Sequence, residues 1–237
     1  LTLYASHDNF SYTNDFTYRY GNRLGSFNWT HIITPTLTGK LSLAMSNYAV
    51  DKDEKVLTYE QSTTSSAIEY VKAKTDFTFT GIEKHTLRLG LHGIRYRVDP
   101  GRQKPLNDSS LVVHSRLEHE RGVEWAGYLS DNYELSDKLS VQAGIRFSAF
   151  CKLGPGTISV YEAGKPVTDA SAEDSRVYAS NDVIQSHFSL EPRVSLKYLI
   201  NEHSSVKMSY NRNVQNLFLI SSSSVPTPDN IWKLSDQ

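Results

Sequence analysis

The sequence has a single cysteine, two methionines and no apolar run near the twenty residues that a membrane-crossing helix needs. A lone Cys151 excludes an internal disulfide and a cysteine-rich zinc site. Charge of one sign is also lacking. Lys and Arg number 25 against 26 Asp and Glu, a net charge of -1, so there is no basic excess to neutralise phosphates. Nucleic acid is therefore excluded as a partner. No phosphate-loop, H-E-x-x-H or G-x-S-x-G pattern occurs, and no amphipathic helix can be traced. No basic-then-apolar leader follows Leu1. The nearest metal-like group, His114, Glu118 and Glu120, reads as a charge cluster near a loop. No catalytic set, cofactor site or metal site is expected. Balanced charge and a mean hydropathy of -0.44 suggest a soluble chain. The 14 Tyr, 9 Phe and 3 Trp fit that reading poorly.

What the sequence does have is a period of two. Leu139, Val141, Ala143, Ile145 and Phe147 alternate with Ser140, Gln142, Gly144, Arg146 and Ser148. Successive strand side chains point to opposite faces, so this is a strand with one apolar and one wet side. The same alternation runs through 190–198, 40–46 and 206–211. The pattern predicts nine antiparallel strands, near 1–7, 24–33, 38–48, 66–80, 84–98, 122–135, 138–149, 186–199 and 204–215. Residues 111–120 extend a neighbouring strand or form a hairpin arm.

The connections alternate too. Tight polar turns at 34–37, 81–84, 136–138 and 201–204 are separated by long polar segments at 8–23, 49–65, 99–121, 150–185 and 216–237. All short turns therefore lie at one end of the sheet and all long loops at the other, as in outer-membrane barrels. The wet face carries Lys72, Lys74, Asp76, Arg88, His92, Arg146, Glu191, Arg193, Lys197 and Lys207. Unpaired charge is costly in a dry core, whereas a water-filled or plugged lumen accommodates it. Single-chain barrels generally have an even number of strands, and residues 216–237 read as a loop with no strand after it. The expectation is an all-β up-and-down meander: residues 1–237 as a partial barrel domain and a segment of a larger barrel. Its open edges predict edge-to-edge self-association, such as a symmetric dimer.

Several stretches resemble one family. Trp125-Ala-Gly-Tyr-Leu-Ser-Asp-Asn-Tyr-Glu-Leu135, the turn Ser136-Asp-Lys138 and the strand from Leu139 to Arg146 resemble a hairpin of the TonB-dependent receptor barrel. Ser189-Leu-Glu-Pro-Arg-Val-Ser195 is similar to that family's Glu-Pro-Arg strand. Ser209–Asn216 and Pro228–Trp232 resemble the next strand and loop in large receptors of Bacteroidetes-type bacteria. The likeness is good over 122–237 and general over 1–121. It implies a barrel of about 22 strands in the Gram-negative outer membrane. An N-terminal plug domain, absent from this chain, would fill the barrel and contact TonB. It also implies uptake of a scarce nutrient: a siderophore, a cobalamin, a glycan or a peptide. A segment alone would not transport.

The resemblance marks Gly144, Arg146, Glu191, Pro192, Arg193, Gln215 and Trp232 as family-motif positions. Read physically, Glu191 and Arg193 share a face and reach Arg146 as lumen ion pairs, or they touch plug or substrate. Gly144 leaves room for the plug or eases curvature, and Pro192 predicts a bulge or local break. Trp29, Trp125, Tyr128, Tyr133 and Tyr198 suit the membrane boundary or ordinary packing. Tyr12, Tyr18, Tyr20, Tyr161 and Tyr178 fall in long loops, where nutrient would bind. Two rivals stand beside this reading. One is a small outer-membrane barrel enzyme of protease or lipase type, although Asp131 and Asp137 lie at the short-turn end. The other is a soluble β-sheet surface or adhesion protein.

Overall fold

Strands form here because alternate residues are apolar over long stretches, and the computed structural model shows where that alternation leads. It describes residues 1–12, 14–161, 164, 172–221 and 230–235. The strands are β1 (Thr2–Tyr12), β2 (Phe16–Thr34), β3 (Leu37–Glu54), β4 (Ser62–Phe79), β5 (His85–Pro105), β6 (Ser115–Arg116) and β7 (Glu120–Ser136). They continue as β8 (Leu139–Leu153), β9 (Gly156–Tyr161), β10 (Ala172–Tyr178), β11 (Val183–Asn201), β12 (Ser204–Asn211), β13 (Leu217–Ile220) and β14 (Ile231–Leu234). One sheet runs in the order β1-β2-β3-β4-β5-β7-β8-β11-β12, every pairing is antiparallel, and β6 pairs with β5. The flanking strands β1 and β12 do not pair with each other, so the barrel is not closed. Among the described residues no helix is long and apolar enough to cross a membrane, which says nothing of crossing by strands.

The two faces differ as the alternation requires. Trp29, Leu43, Met45, Leu91, Leu129, Phe147 and Leu190 lie on one face and are exposed. Neighbouring registers bring them together: Trp29 faces Leu41, Leu43 faces Ala73, Leu129 faces Ile145 and Phe147 faces Leu190. Among the described residues no second sheet covers them. So large an apolar face is an aggregation surface in water and an ordinary contact surface in lipid. The opposite face carries the Arg146 charge network and the buried cluster under the β13–β14 hairpin, as a lumen face does.

Two hairpins in the structure correct the expected loops. Residues 8–23 and 49–65 are mostly strand: β1 and β2 run on to a tight turn, and β3 and β4 reach Glu54 and Ser62. β2 has 19 residues and β5 has 21, whereas about nine to eleven span the apolar layer. The excess rises beyond the membrane, where both faces are wet. Pairing continues there, but the apolar alternation that signals a strand disappears.

Residues 216–237 also differ from the expected bare loop. β13 and β14 pair as a hairpin, and β12 ends at Asn211 rather than near 215. Leu234 is 1% exposed and joins Ile68, Tyr96, Val98 and Phe150 in an apolar cluster, with Trp232 and Leu217 packed against it. Residues of β4, β5 and β8 that face the lumen thus gain a lid from the same chain. The Leu234 amide donates to Glu120 Oε2 at 2.7 Å, and Ser235 N donates to Asn216 O at 2.9 Å. Of residues 111–120, only Ser115–Arg116 form a short arm on β5.

The hairpin is held by few groups, so one truncation releases it. Leu234→Ala is expected to cost roughly 2–4 kcal/mol of hairpin docking. Amide exchange at Leu217–Ile220 should then accelerate while exchange in β7 and β8 is unchanged. Equal acceleration in both would show that the hairpin and the sheet are one unit.

Candidate functional site

The lumen wall is built from inward positions of β4, β5, β7, β8 and β11, brought level by the sheet register. Gly90, Tyr128, Arg146 and Glu191 form one row, and His92, Ala126, Ser148 and Ser189 form the next. Arg146 is the hub. Its Nη2 donates to Glu124 Oε1 at 3.3 Å and its Nε to Glu191 Oε1 at 3.4 Å. Its Nη1 lies 3.2 Å from His92 Nδ1, and His92 Nε2 lies 3.3 Å from Glu124 Oε1. Arg146 Nη2 also lies 3.0 Å from His92 Nε2, so the guanidinium faces both nitrogens of the ring. Ser148 Oγ donates to Glu191 Oε1 at 2.8 Å. Arg193 approaches Glu191 Oε2 at 3.6 Å and donates to Asn213 Oδ1 at 2.9 Å. From the segment after β12, Asn216 Nδ2 donates to Glu124 Oε2 at 3.1 Å.

Two further pairs flank this cluster. Lys74 binds Asp76 at 2.8 Å, and the Tyr128 hydroxyl donates to the same carboxylate. Lys152 binds Glu120 at 3.3 Å. Beside the cluster lies a cavity of about 450 Å³ lined by Lys74, Arg88, Tyr128, Arg146, Arg193 and Asn211, among others. Three of its four cations already face carboxylates, Lys74 with Asp76 and both Arg146 and Arg193 with Glu191, so charge around the cavity is largely compensated.

The motif positions take these places. Arg146, Glu191 and Arg193 form the expected ion pairs. The Cβ of any residue at Gly144 would stand 2.8 Å from Ser130 Cβ and 3.1 Å from Leu129 O, so this glycine serves close approach of the neighbouring strand. Pro192 makes no bulge. The β8–β11 register runs through it unbroken, while pairing with β12 stops beside it at Arg193. Its missing N–H therefore marks the end of one ladder. Gln215 Nε2 donates to Leu217 O at 2.5 Å and shapes the entry to β13. Trp232, within β14, packs against the apolar cluster that the hairpin covers.

Tyr12, Tyr18 and Tyr20 are strand residues, not loop residues, and with Phe10 and Phe16 they share the inward face of β1 and β2. Lys52 stands 5.2 Å from the Phe16 ring and 6.0 Å from the Tyr18 ring. This aromatic rim was invisible to a reading that placed the residues in a loop. Tyr178 belongs to a separate hairpin, β9–β10. The side chain of Tyr161 lies outside the described residues, as does Pro228. Among the described residues no group of three or more His, Cys, Asp and Glu could hold a metal. Glu118 instead accepts from Thr157 N at 3.3 Å.

A family model described as TonB dependent receptor-like, beta-barrel matches residues 1–231. The chain belongs to the TonB-dependent receptor β-barrel family. Its solved relatives in fold include the closed form of the ferric-catecholate import receptor Fiu from E. coli K12. That match has a TM-score of 0.58 and 14% identity, and covers 92% of this chain and 37% of Fiu. The copper transporter OprC has a TM-score of 0.58 and 7% identity over 91% of this chain and 37% of its own. A double mutant of the Serratia marcescens hemophore receptor HasR, in complex with HasA and heme, has a TM-score of 0.55 and 12% identity. It covers 87% of this chain and 32% of that one. At such identity the likeness is one of fold. The chain spans about a third of the length of these receptors. No curated protein sequence matches it. The TonB-dependent receptor barrel is an outer-membrane architecture of Gram-negative bacteria, and its relatives here are import receptors rather than enzymes.

Above the membrane the strands are tied by a different device. Asp53 is about sixteen residues along β3 from its periplasmic start, roughly 50 Å of strand, and so lies well beyond the apolar layer. Arg19 donates to both its oxygens, at 2.6 and 2.8 Å, and Thr63 Oγ1 adds a bond of 2.8 Å. The Arg19 hydrogen bonds hold the Asp53 carboxyl below its ordinary value against the opposing effect of burial.

Two outcomes are expected. Arg146→Gln leaves Glu124 and Glu191 without their shared cation and should cost roughly 1–3 kcal/mol. In a cycle with Glu191→Gln, the double variant should cost less than the sum, by about 1 kcal/mol in denaturant unfolding. Additive losses would show that the pair is uncoupled. For Asp53, the folded pKa is depressed, so its stabilisation is full above the ordinary carboxylate value and lost as pH falls through the folded value. Amide protection in 49–54, corrected for intrinsic exchange, should drop on acidification, and Asp53→Asn should flatten that dependence.

Proposed function

We propose that residues 1–237 are a barrel-wall domain of a TonB-dependent importer of a scarce nutrient. The supporting observation is an exposed apolar face on one side of the sheet and, on the other, the face that carries the Arg146 network and its adjoining cavity. In this reading a plug domain, outside this sequence, fills the lumen against that wall and relays energy from TonB. Gly144, Arg146, Glu191, Pro192 and Arg193 shape the wall the plug meets. Gln215 and Trp232 seat the β13–β14 hairpin over it. Tyr12, Tyr18 and Tyr20 form an aromatic rim where a ring-bearing nutrient makes first contact, with Tyr161 and Tyr178 on a second hairpin. The chain carries no catalytic chemistry of its own. With β1 and β12 unpaired, the isolated chain associates edge to edge.

The test is accumulation by cells whose outer membrane carries the receptor containing this sequence. Ferric siderophore, cobalamin, oligosaccharide and oligopeptide are supplied in labelled form, with and without TonB. Accumulation of one class that requires TonB is expected. Accumulation of none, or uptake undiminished without TonB, would overturn the proposal. Hydrolysis of peptides or lipid esters by the purified receptor would favour the enzyme rival.

A further inference from the structure

The hairpin that covers the lumen wall is seated there as a ligand is seated in a site. Gly122 of β7 leaves a gap in the inward face: a Cβ there would stand 2.9 Å from the Phe150 ring and 3.1 Å from Leu234 Cδ1. The Leu234 side chain enters that gap. Ile68, Tyr96, Val98 and Phe150 surround it, and Leu234 is 1% exposed among them. Beside the gap, Glu120 Oε2 accepts the Leu234 amide at 2.7 Å, and Glu120 Oε1 meets Lys152 at 3.3 Å. A carboxylate thus reads one backbone N–H, and an apolar socket reads the side chain of the same residue.

The occupant of this socket is not part of the wall. Among the described residues β14 pairs only with β13, apart from the ten-stranded sheet. Each of the two strands has four residues, and an isolated two-stranded hairpin is marginal in water. Docking therefore holds the hairpin, chiefly through burial of Leu234. Its polar ties to the wall include the Leu234–Glu120 bond and, just before β13, the bond from Asn216 to Glu124. When the hairpin leaves, Glu120 loses a donor and Ile68, Tyr96, Val98 and Phe150 become an open apolar socket in an otherwise polar lumen.

We propose that Glu120 and the Gly122 socket form a binding site for a peptide nutrient with a free amino terminus and a leucine-like first side chain, and that β14 is its built-in competitor. This rests on the import reading above and names its substrate class. The seated strand shows what the site accepts: an N–H on Glu120 and an aliphatic side chain in the socket, both from one residue. The first residue of a peptide offers the same pair. Its terminus is an ammonium, and a hydrogen bond from an ionised donor to a carboxylate is about twice as strong as one between neutral groups. The Leu234 amide is neutral, so the incoming terminus has the stronger polar contact and an equal apolar one. A sugar would instead bury hydroxyls against Ile68, Val98 and Phe150 and lose their hydrogen bonds to water. Peptide and hairpin cannot share the socket, so the docked hairpin lowers the apparent affinity by the fraction of receptor it occupies.

The test titrates the purified receptor containing this sequence with Leu-Gly-Gly, its N-acetylated form and Asp-Gly-Gly by isothermal calorimetry. Leu-Gly-Gly should bind about tenfold more tightly than either of the others. Leu234→Ala undocks the hairpin, so the apparent affinity for Leu-Gly-Gly should rise about tenfold or more. Glu120→Gln should bring the free and acetylated peptides level while Leu-Gly-Gly still exceeds Asp-Gly-Gly. Saturating Leu-Gly-Gly should also accelerate amide exchange at Leu217–Ile220, because the hairpin is displaced. Equal binding of the three peptides would overturn the proposal. So would an affinity that Leu234→Ala leaves unchanged or lowers, or no binding of Leu-Gly-Gly to that variant. Binding is read without TonB, so the two readings fail separately. TonB-dependent uptake of another nutrient with no peptide binding sinks this proposal alone, and peptide binding without uptake sinks only the import reading.

Discussion

A strand that crosses hydrocarbon must give every amide and carbonyl to a neighbouring strand, because lipid offers no partner and each orphan costs several kcal/mol. Most of this structure follows from that rule. Antiparallel neighbours joined in sequence order satisfy it with the shortest connections, and the described sheet does so from β1 to β12. The rule also makes the side-chain period two. Once the backbone is satisfied laterally, side chains can only face lipid or lumen. Leu, Phe and Trp fill one set of positions and Arg, Glu and His the other. The even spread of charge and the negative mean hydropathy are averages over two unlike surfaces.

The lumen face solves a second problem. It carries more charge than a dry core tolerates, and around Arg146 the register pairs that charge. Arg146 reaches two carboxylates and a histidine on three other strands. Each contact crosses from one strand to another, so the network joins β5, β7, β8 and β11 into one plate. The β13–β14 hairpin then turns back over the outer half of this plate and dries Ile68, Tyr96, Val98 and Phe150. A polar inner half and an apolar, covered outer half thus coexist on one wall. Between the paired charges remains a cavity with Lys74, Arg88, Arg146 and Arg193 around it.

Legibility in the sequence tracked the solvent on each side of the strand. Leu139 to Phe147 was plain because one face is in lipid and the other in the lumen. Phe10 to Tyr20 was not, since beyond the membrane both faces are wet and the alternation fades while the pairing persists. Ile231-Trp-Lys-Leu234 was too short to show a period, and its role depends on a docking partner about 80 to 165 residues earlier in the chain. Glu191 with Arg146 could be guessed from shared parity. Asn216 with Glu124 could not, because it depends on where the chain turns after β12. Pro192 was recognisable as an interruption, but which of its two ladders would end was a matter of tertiary arrangement.

The sequence by itself determined the meander, the order of its strands, the family and the sign of each face, because these follow from local alternation and from turns of a few residues. Tertiary structure alone decided which charges meet and which aromatics share the rim. It also decided that the last described segment is a lid. Those depend on register between strands and on strand tilt relative to the membrane. One residue of slip would exchange the faces of a strand, and only the folded sheet specifies that register everywhere at once.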